Sequence, residues 1–255
     1  MDKITIIKVG GKVVEDSESM NALLEQFTRI SSHKILVHGG GRTATEMAAK
    51  LGIENQLIDG RRITGKSMLE VVTMVYGGLV NKKIVAGLQA RGCNAIGLTG
   101  ADLNLISAVK RPVGDIDYGF VGDIDDVNSR EIRMLIDENV VPVVAPLTHD
   151  GKGNLLNTNA DTIASELASE LSNHFNVFLF YCFDKKGVLE NPVDDSSVIY
   201  ELNTEKYSQL KLAGTISTGM IPKLDNGFRA KRSGVKEVLI TNTENISTGR
   251  GTRLI

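Results

Sequence analysis

The run Ile35-Leu36-Val37-His38-Gly39-Gly40-Gly41-Arg42 constrains this chain more than any other stretch. An apolar triplet suited to a buried strand feeds three glycines, and Thr43-Ala44-Thr45-Glu46-Met47-Ala48-Ala49 follows as a helix. Glycines let a backbone turn sharply and approach its neighbours closely. Unpaired N–H groups at the start of the next helix then point at negative charge. Alone, the motif fits a tight strand–helix turn as well as it fits an anion site. A second copy favours the anion site: Ile4-Thr5-Ile6-Ile7-Lys8-Val9 reads as a strand running into Gly10-Gly11-Lys12. Two glycine turns at the carboxyl ends of strands, one of them carrying a lysine, describe a phosphate-handling crevice.

The remaining residues alternate strand and helix in the same rhythm. Met20, Leu23, Leu24, Phe27 and Ile30 keep helical spacing behind the start signal Asp16-Ser17-Glu18. Residues 53–64 are polar and turn-rich, a hairpin or loop. A long helix is predicted over 66–90, with Met68, Val72, Val75 and Leu79 on one face. Residues 94–98 and 140–144 read as core strands, with a hairpin between 103 and 127 and a helix from Ser129. Asn159 caps a helix whose stripe is Ile163, Ala164, Leu167, Ala168 and Leu171. Val177-Phe178-Leu179-Phe180-Tyr181-Cys182-Phe183 is apolar on both faces, which suits a parallel strand covered by helices. Helices over 205–210 and 218–233, a strand over 237–240 and an edge strand over 252–255 complete the pattern. The expected fold is α/β, a three-layer αβα sandwich with a mostly parallel central sheet. Ligands in such sheets bind beyond the carboxyl ends of the strands.

Bulk properties narrow the function. A net charge of −2 over 255 residues argues against a nucleic-acid footprint or a membrane-surface patch. No run approaches the roughly 18 apolar residues of a membrane span, and a strand beginning almost at Met1 leaves no room for a signal peptide. Cys93 and Cys182 have neither disulfide nor metal spacing, and four scattered histidines do not suggest a zinc site. The expectation is a cytoplasmic protein acting on small molecules, with no nucleic-acid or membrane partner.

Three further clusters carry chemistry. Leu156-Asn157-Thr158-Asn159-Ala160-Asp161 closes a short strand and opens a helix. A helix cap explains part of it, yet two asparagines and an aspartate in five residues suggest more. Ser217-Thr218-Gly219-Met220-Ile221-Pro222-Lys223 puts a lysine in the first turn of a helix, where the dipole disfavours cations. An anion between that lysine and the helix end would resolve the conflict. Asp184-Lys185-Lys186-Gly187-Val188-Leu189 follows the Phe-rich strand. One tempting match fails: Gly60-Arg61-Arg62-Ile63-Thr64-Gly65-Lys66-Ser67 fits the P-loop pattern. The residues before it are too polar for a central strand, and two arginines stand where bulk would obstruct the wrap around phosphates.

Taken together, Lys8-Val9-Gly10-Gly11, His38-Gly39-Gly40-Gly41, Gly60-Arg61-Arg62-Ile63-Thr64, Val80-Asn81-Lys82, Gly119-Phe120-Val121-Gly122, Asn157-Thr158-Asn159-Ala160-Asp161 and Gly219-Met220-Ile221-Pro222-Lys223 resemble the amino acid kinases in order and spacing. The resemblance covers the chain from Lys3 onward. It implies one kinase domain, with an acyl-amino-acid lobe over 1–175 and a nucleotide lobe over 176–255. It also implies transfer of the ATP γ-phosphoryl group to the γ-carboxylate of an N-acylated glutamate, N-acetyl-L-glutamate first, for arginine synthesis.

By the same resemblance, Lys8 and Lys223 hold the phosphoryl group in flight and Asp161 positions both. Gly40, Gly41, Arg62 and Asn157 bind the acylated amino acid, with Arg62 on its α-carboxylate. Gly10, Gly11, Asp184, Lys185, Gly187, Leu189, Ser217, Gly219 and Met220 line the nucleotide site. Magnesium travels with ATP, so no protein metal ligand is expected. A carboxylate nucleophile is already ionised at neutral pH and needs no general base; alignment and charge stabilisation suffice. Two departures stand out. Phe183-Asp184-Lys185-Lys186 replaces a Thr-Asp followed by small residues, and Arg61 replaces an apolar residue before Arg62. Arg61 opens a second substrate, N-succinyl-L-glutamate. A sibling kinase acting on carbamate, aspartate, glutamate or a nucleotide monophosphate would share the fold. A non-catalytic sensor would be expected to lose Lys8, Lys223 or Asp161. The resemblance further implies a homodimer, and the early first strand an enzyme insensitive to arginine.

Overall fold

Strand Lys3–Val9 alternates its side chains between two apolar layers. Ile4 and Ile6 pack with helices Ser129–Asp137, Ala160–Leu171, Thr204–Leu212 and Ile221–Arg232. Ile7 and Val9 pack with Ser17–Thr28, Gly41–Lys50 and the long helix Lys66–Gln89. The result is the expected three-layer αβα sandwich with two hydrophobic cores, one on each face of the sheet. The computed structural model describes residues 1–58, 60–217 and 219–255.

From one edge, the eight-stranded sheet runs Glu201–Leu202, Thr252–Leu254, Glu237–Asn242, Asn176–Phe183, Lys3–Val9, His33–His38, Val141–Val144, Ala95–Leu98. Its neighbours are parallel apart from Thr252–Leu254 against Glu237–Asn242. The chain leaves Lys3–Val9 toward one edge and returns on its other side through Asn176–Phe183. That reversal of strand order opens a crevice at the carboxyl end of the first strand. A four-stranded sheet built from Leu155–Asn157, Leu147–His149, Ile106–Lys110 and Gly122–Val127 carries the expected hairpin.

Several expectations need correction. Residues 95–98 form an edge strand rather than a core one, and Ile96 is exposed. Residues 252–254 stand one strand in from the other edge, which Glu201–Leu202 occupies; a two-residue strand has no periodicity to read. Leu79 is exposed although Met68, Val72 and Val75 are buried. A π-helical stretch, Thr73–Val80, widens the turns of the long helix and shifts the phase, so that Tyr76 and Val80 face the core instead. That helix is also long and apolar enough to cross a bilayer by length and composition, contrary to the expectation that no segment approaches that size. Here Val71, Val75, Ile84 and Leu88 are buried in one of the two cores. The C-terminal helix spans Ile221–Arg232; the expected start at Thr218 lies outside the described residues, as does Asp59 in the 53–64 segment, where Leu57–Ile58 pairs with Arg61–Arg62.

Candidate active site

Three neighbouring parallel strands end together. Val9 pairs with His38 on one side and Cys182 on the other. The ladder continues into both glycine turns: Gly10 N–H donates to the Cys182 carbonyl at 3.0 Å and Gly39 N–H to that of Val9 at 3.1 Å. The turns nearly touch, since a Cβ on Gly39 would stand 3.3 Å from the Gly11 nitrogen. Gly40 has φ +153°, and a Cβ there would meet the Tyr76 ring at 3.1 Å. Only glycine satisfies both demands at that position.

Lys8 sits one residue before the strand end, on the face covered by helix Ala160–Leu171. The Asn159 side chain caps that helix by accepting from Asp161 N–H at 2.8 Å and Thr162 N–H at 3.1 Å. The Tyr181 hydroxyl donates to the Asp161 carbonyl at 3.2 Å. So fixed, the Asp161 carboxylate meets Lys8 Nζ at 2.7 Å through Oδ1 and Lys223 Nζ at 3.2 Å through Oδ2. Lys8 and Asp161 are 6% and 5% exposed, which makes this a desolvated ion triad. The anion called for beside Lys223 in its helix start is therefore Asp161. Burial would raise the Asp161 carboxyl, but the two lysines outweigh it and hold it below its ordinary value. Burial and the nearby Lys223 charge lower the Lys8 ammonium despite Asp161.

Two cavities meet at the triad. The larger, about 1310 Å³, includes Lys8, Gly40, Gly41, Arg62, Asn157 and Asp161 in its lining. Arg62 is held by Nη2, which donates to the Gly41 carbonyl at 2.6 Å and the Thr45 hydroxyl at 2.9 Å. Its Nη1 is buried without a partner among the described residues, a charged donor left for a ligand. Asn157 donates to the Thr64 hydroxyl at 3.0 Å. The smaller cavity, about 460 Å³, gathers Gly10, Gly11, Asp184, Lys185, Gly187, Leu189, Ser217, Gly219 and Met220, together with Lys223. Each residue expected to act in catalysis, substrate binding or nucleotide binding thus borders one of the two spaces. Among the described residues no group of three His, Cys, Asp or Glu side chains is placed to hold a metal.

Sequence reasoning missed the supports. His38 is fully buried, with Nδ1 2.7 Å from the Gly39 carbonyl and Nε2 3.1 Å from Asn81 Nδ2, which also donates to Val143. Burial pushes its pKa down to about 4, so it is neutral and braces the glycine turn. With Asn81 donating to Nε2, the proton sits on Nδ1 and is donated to Gly39. Glu15 was missed too: its Oε1 accepts from Thr43 N–H at 3.0 Å. One donor of the supposed anion trap is therefore already taken. The P-loop alternative finds no support: Lys66 is exposed and opens the long helix behind the two-stranded hairpin.

Residues 3–242 match the profile described as the amino acid kinase family. A protein of Bacteroides thetaiotaomicron named acetylglutamate kinase is 59% identical over 253 residues, covering 99% of this chain and 98% of its own. Among solved structures, the smu.665 protein of Streptococcus mutans UA159 superposes with a TM-score of 0.84 at 26% identity, covering 98% of each chain. Carbamate kinase from Giardia lamblia bound to AMP-PNP gives a TM-score of 0.72 at 14% identity, over 100% of this chain and 98% of its own, a likeness of fold alone.

Proposed function

This chain belongs to the amino acid kinase family, and we propose that it transfers the γ-phosphoryl group of ATP to the γ-carboxylate of N-acetyl-L-glutamate, a step of arginine biosynthesis. The observation that carries this reading is the triad, with Lys8 and Lys223 on either side of Asp161 where the two cavities meet. A phosphoryl group passing between the cavities crosses that junction. Lys8 and Lys223 stabilise its equatorial oxygens, and Asp161 keeps both ammonium groups aimed. The Gly10–Gly11 and Gly40–Gly41 turns bring backbone close to the two anions, which raises the effective concentration of the nucleophile. Arg62, whose Nη1 has no partner among the described residues, grips the α-carboxylate beside Asn157. ATP arrives with magnesium held by phosphate oxygens and water; the smaller cavity takes the nucleotide. Residues 1–175 serve the acyl-amino acid and 176–255 the nucleotide. The enzyme works as a cytoplasmic homodimer without nucleic-acid or membrane partners. The exposed Met74 and Leu79 on the long helix and Ile96 on the edge strand support a subunit contact there. A coupled assay of ADP release across acetyl-glutamate, succinyl-glutamate, glutamate, aspartate and carbamate tests the assignment. Turnover confined to carbamate or to the free amino acids would refute it.

The lowered Lys8 value sets a pH dependence with a definite sign. Only the ammonium form serves the transferred group, so kcat/KM for ATP is expected to fall as pH rises through a value below the ordinary 10.5. On kcat the same limb moves upward, because bound phosphates favour the charged form. A kcat/KM profile flat to that ordinary value would contradict the role of Lys8.

Arg61 favours a second reading for the acyl group. It is exposed where Arg62 is buried, yet it borders the same cavity. Its charge persists at any working pH. If it pairs with a second carboxylate, N-succinyl-L-glutamate is preferred, by roughly ten- to a hundredfold in kcat/KM, and Arg61→Leu reverses the preference. Preference for acetyl-glutamate, unchanged in Arg61→Leu, would dispose of that reading.

A further inference from the structure

Lysine is conspicuous around the smaller cavity, where Lys12, Lys185 and Lys223 all line the wall. Lys223 is committed to Asp161. Lys185 is tied at 2.6 Å to Asp195, which does not border the cavity. Lys12 differs from both. It follows the Gly10–Gly11 turn directly, and its ammonium reaches Asp184 Oδ2 at 2.8 Å, just past the neighbouring strand Asn176–Phe183. Both members line the smaller cavity, so the pair lies on the wall of the space that a nucleotide would enter. Its members are 73% and 43% exposed, so water and salt screen it. Asp184 also holds a carboxyl lowered partly by Lys12, an anion standing where anions are expected to bind.

We propose that Lys12 is a further phosphate-binding lysine of the nucleotide site, exchanging Asp184 for the polyphosphate of the incoming nucleotide. This rests on the reading of the smaller cavity as the nucleotide site. A screened contact with one carboxylate is easily surrendered to a ligand bearing several charges within reach of the same flexible side chain. Lys8 and Lys223 are held by a buried partner and serve the group in transfer. Lys12 is free to serve the phosphates that stay with the nucleotide.

The test is calorimetric titration of the full chain with MgATP and, separately, with adenosine. Lys12→Met is expected to weaken MgATP roughly tenfold or more, as loss of a charged hydrogen bond does, and to leave adenosine unchanged. The salt dependence of MgATP binding should become shallower in the variant, because one ion contact has been removed. Circular dichroism of the variant checks its fold, and an exposed side chain is a mild site to change. Unchanged MgATP affinity, or equal weakening of MgATP and adenosine, would overturn the proposal while leaving the nucleotide site standing. A native protein that bound neither ligand would overturn the nucleotide site itself.

Discussion

Replacing Lys8 or Lys223 by alanine is expected to lower turnover at least a hundredfold, the scale set by loss of a donor aimed at developing charge. Both ammonium groups are on the same carboxylate, at 2.7 and 3.2 Å, and both face the junction of the two cavities. Their electrostatic effect is strengthened there because Lys8 and Asp161 are largely shielded from water. The loss should fall mainly on kcat, since the transferred group gains most from the lysines only while it is between donor and acceptor. Lys66→Ala is the internal control. That lysine is exposed and opens a helix outside the triad, so turnover should stay within a few-fold. If Lys66 proved essential and Lys8 dispensable, the P-loop reading of residues 60–67 would replace this one.

Asp161→Asn is expected to damage both activity and stability. Removing the carboxylate leaves the buried Lys8 without its counter-charge, beside a second lysine. Breaking a buried ion pair from one side costs about 3–5 kcal/mol, because the remaining charge stays desolvated. The variant should lose turnover at least as severely as either lysine variant, since both lysines lose their aim. Its stability should also respond to pH in a defined direction. Lys8 is already lowered in the native protein, and without Asp161 it falls further. A lysine lowered on folding penalises the folded state while it is protonated, and the penalty fades as pH rises through the lowered value toward the unfolded one. Urea unfolding of the variant should therefore show a deficit that shrinks on the alkaline side. A deficit that grew with pH would mean that Lys8 is not the uncompensated charge.

The parts legible in the sequence were those written in short local signals. Glycine turns, the Asn159 cap and the lysine out of place at a helix start each have a local physical reason, and each marks a wall of the site. The pairing of Lys8, Asp161 and Lys223 was accessible only through family resemblance, because residues 153 and 62 positions apart cannot announce contact. Leu79 was misplaced because a π-helical stretch breaks the phase of a helix without leaving a mark in the apolar pattern. His38 and Glu15 were missed as supports because their partners, Asn81 and Thr43, come from other elements. Buried polar groups of this kind are satisfied by the fold, and the need for a partner is visible before the partner is.

Following the phosphorus itself separates acyl-phosphate formation from bare hydrolysis of ATP. Native protein, MgATP and N-acetyl-L-glutamate would be observed by phosphorus NMR, with hydroxylamine then added to trap the product. An acyl-phosphate resonance is expected to grow as ATP is converted to ADP, to disappear on trapping, and to be absent from Lys8→Ala over the same period. Conversion of ATP to inorganic phosphate with no acyl phosphate, or the same resonance at the native rate in Lys8→Ala, would contradict the proposed transfer.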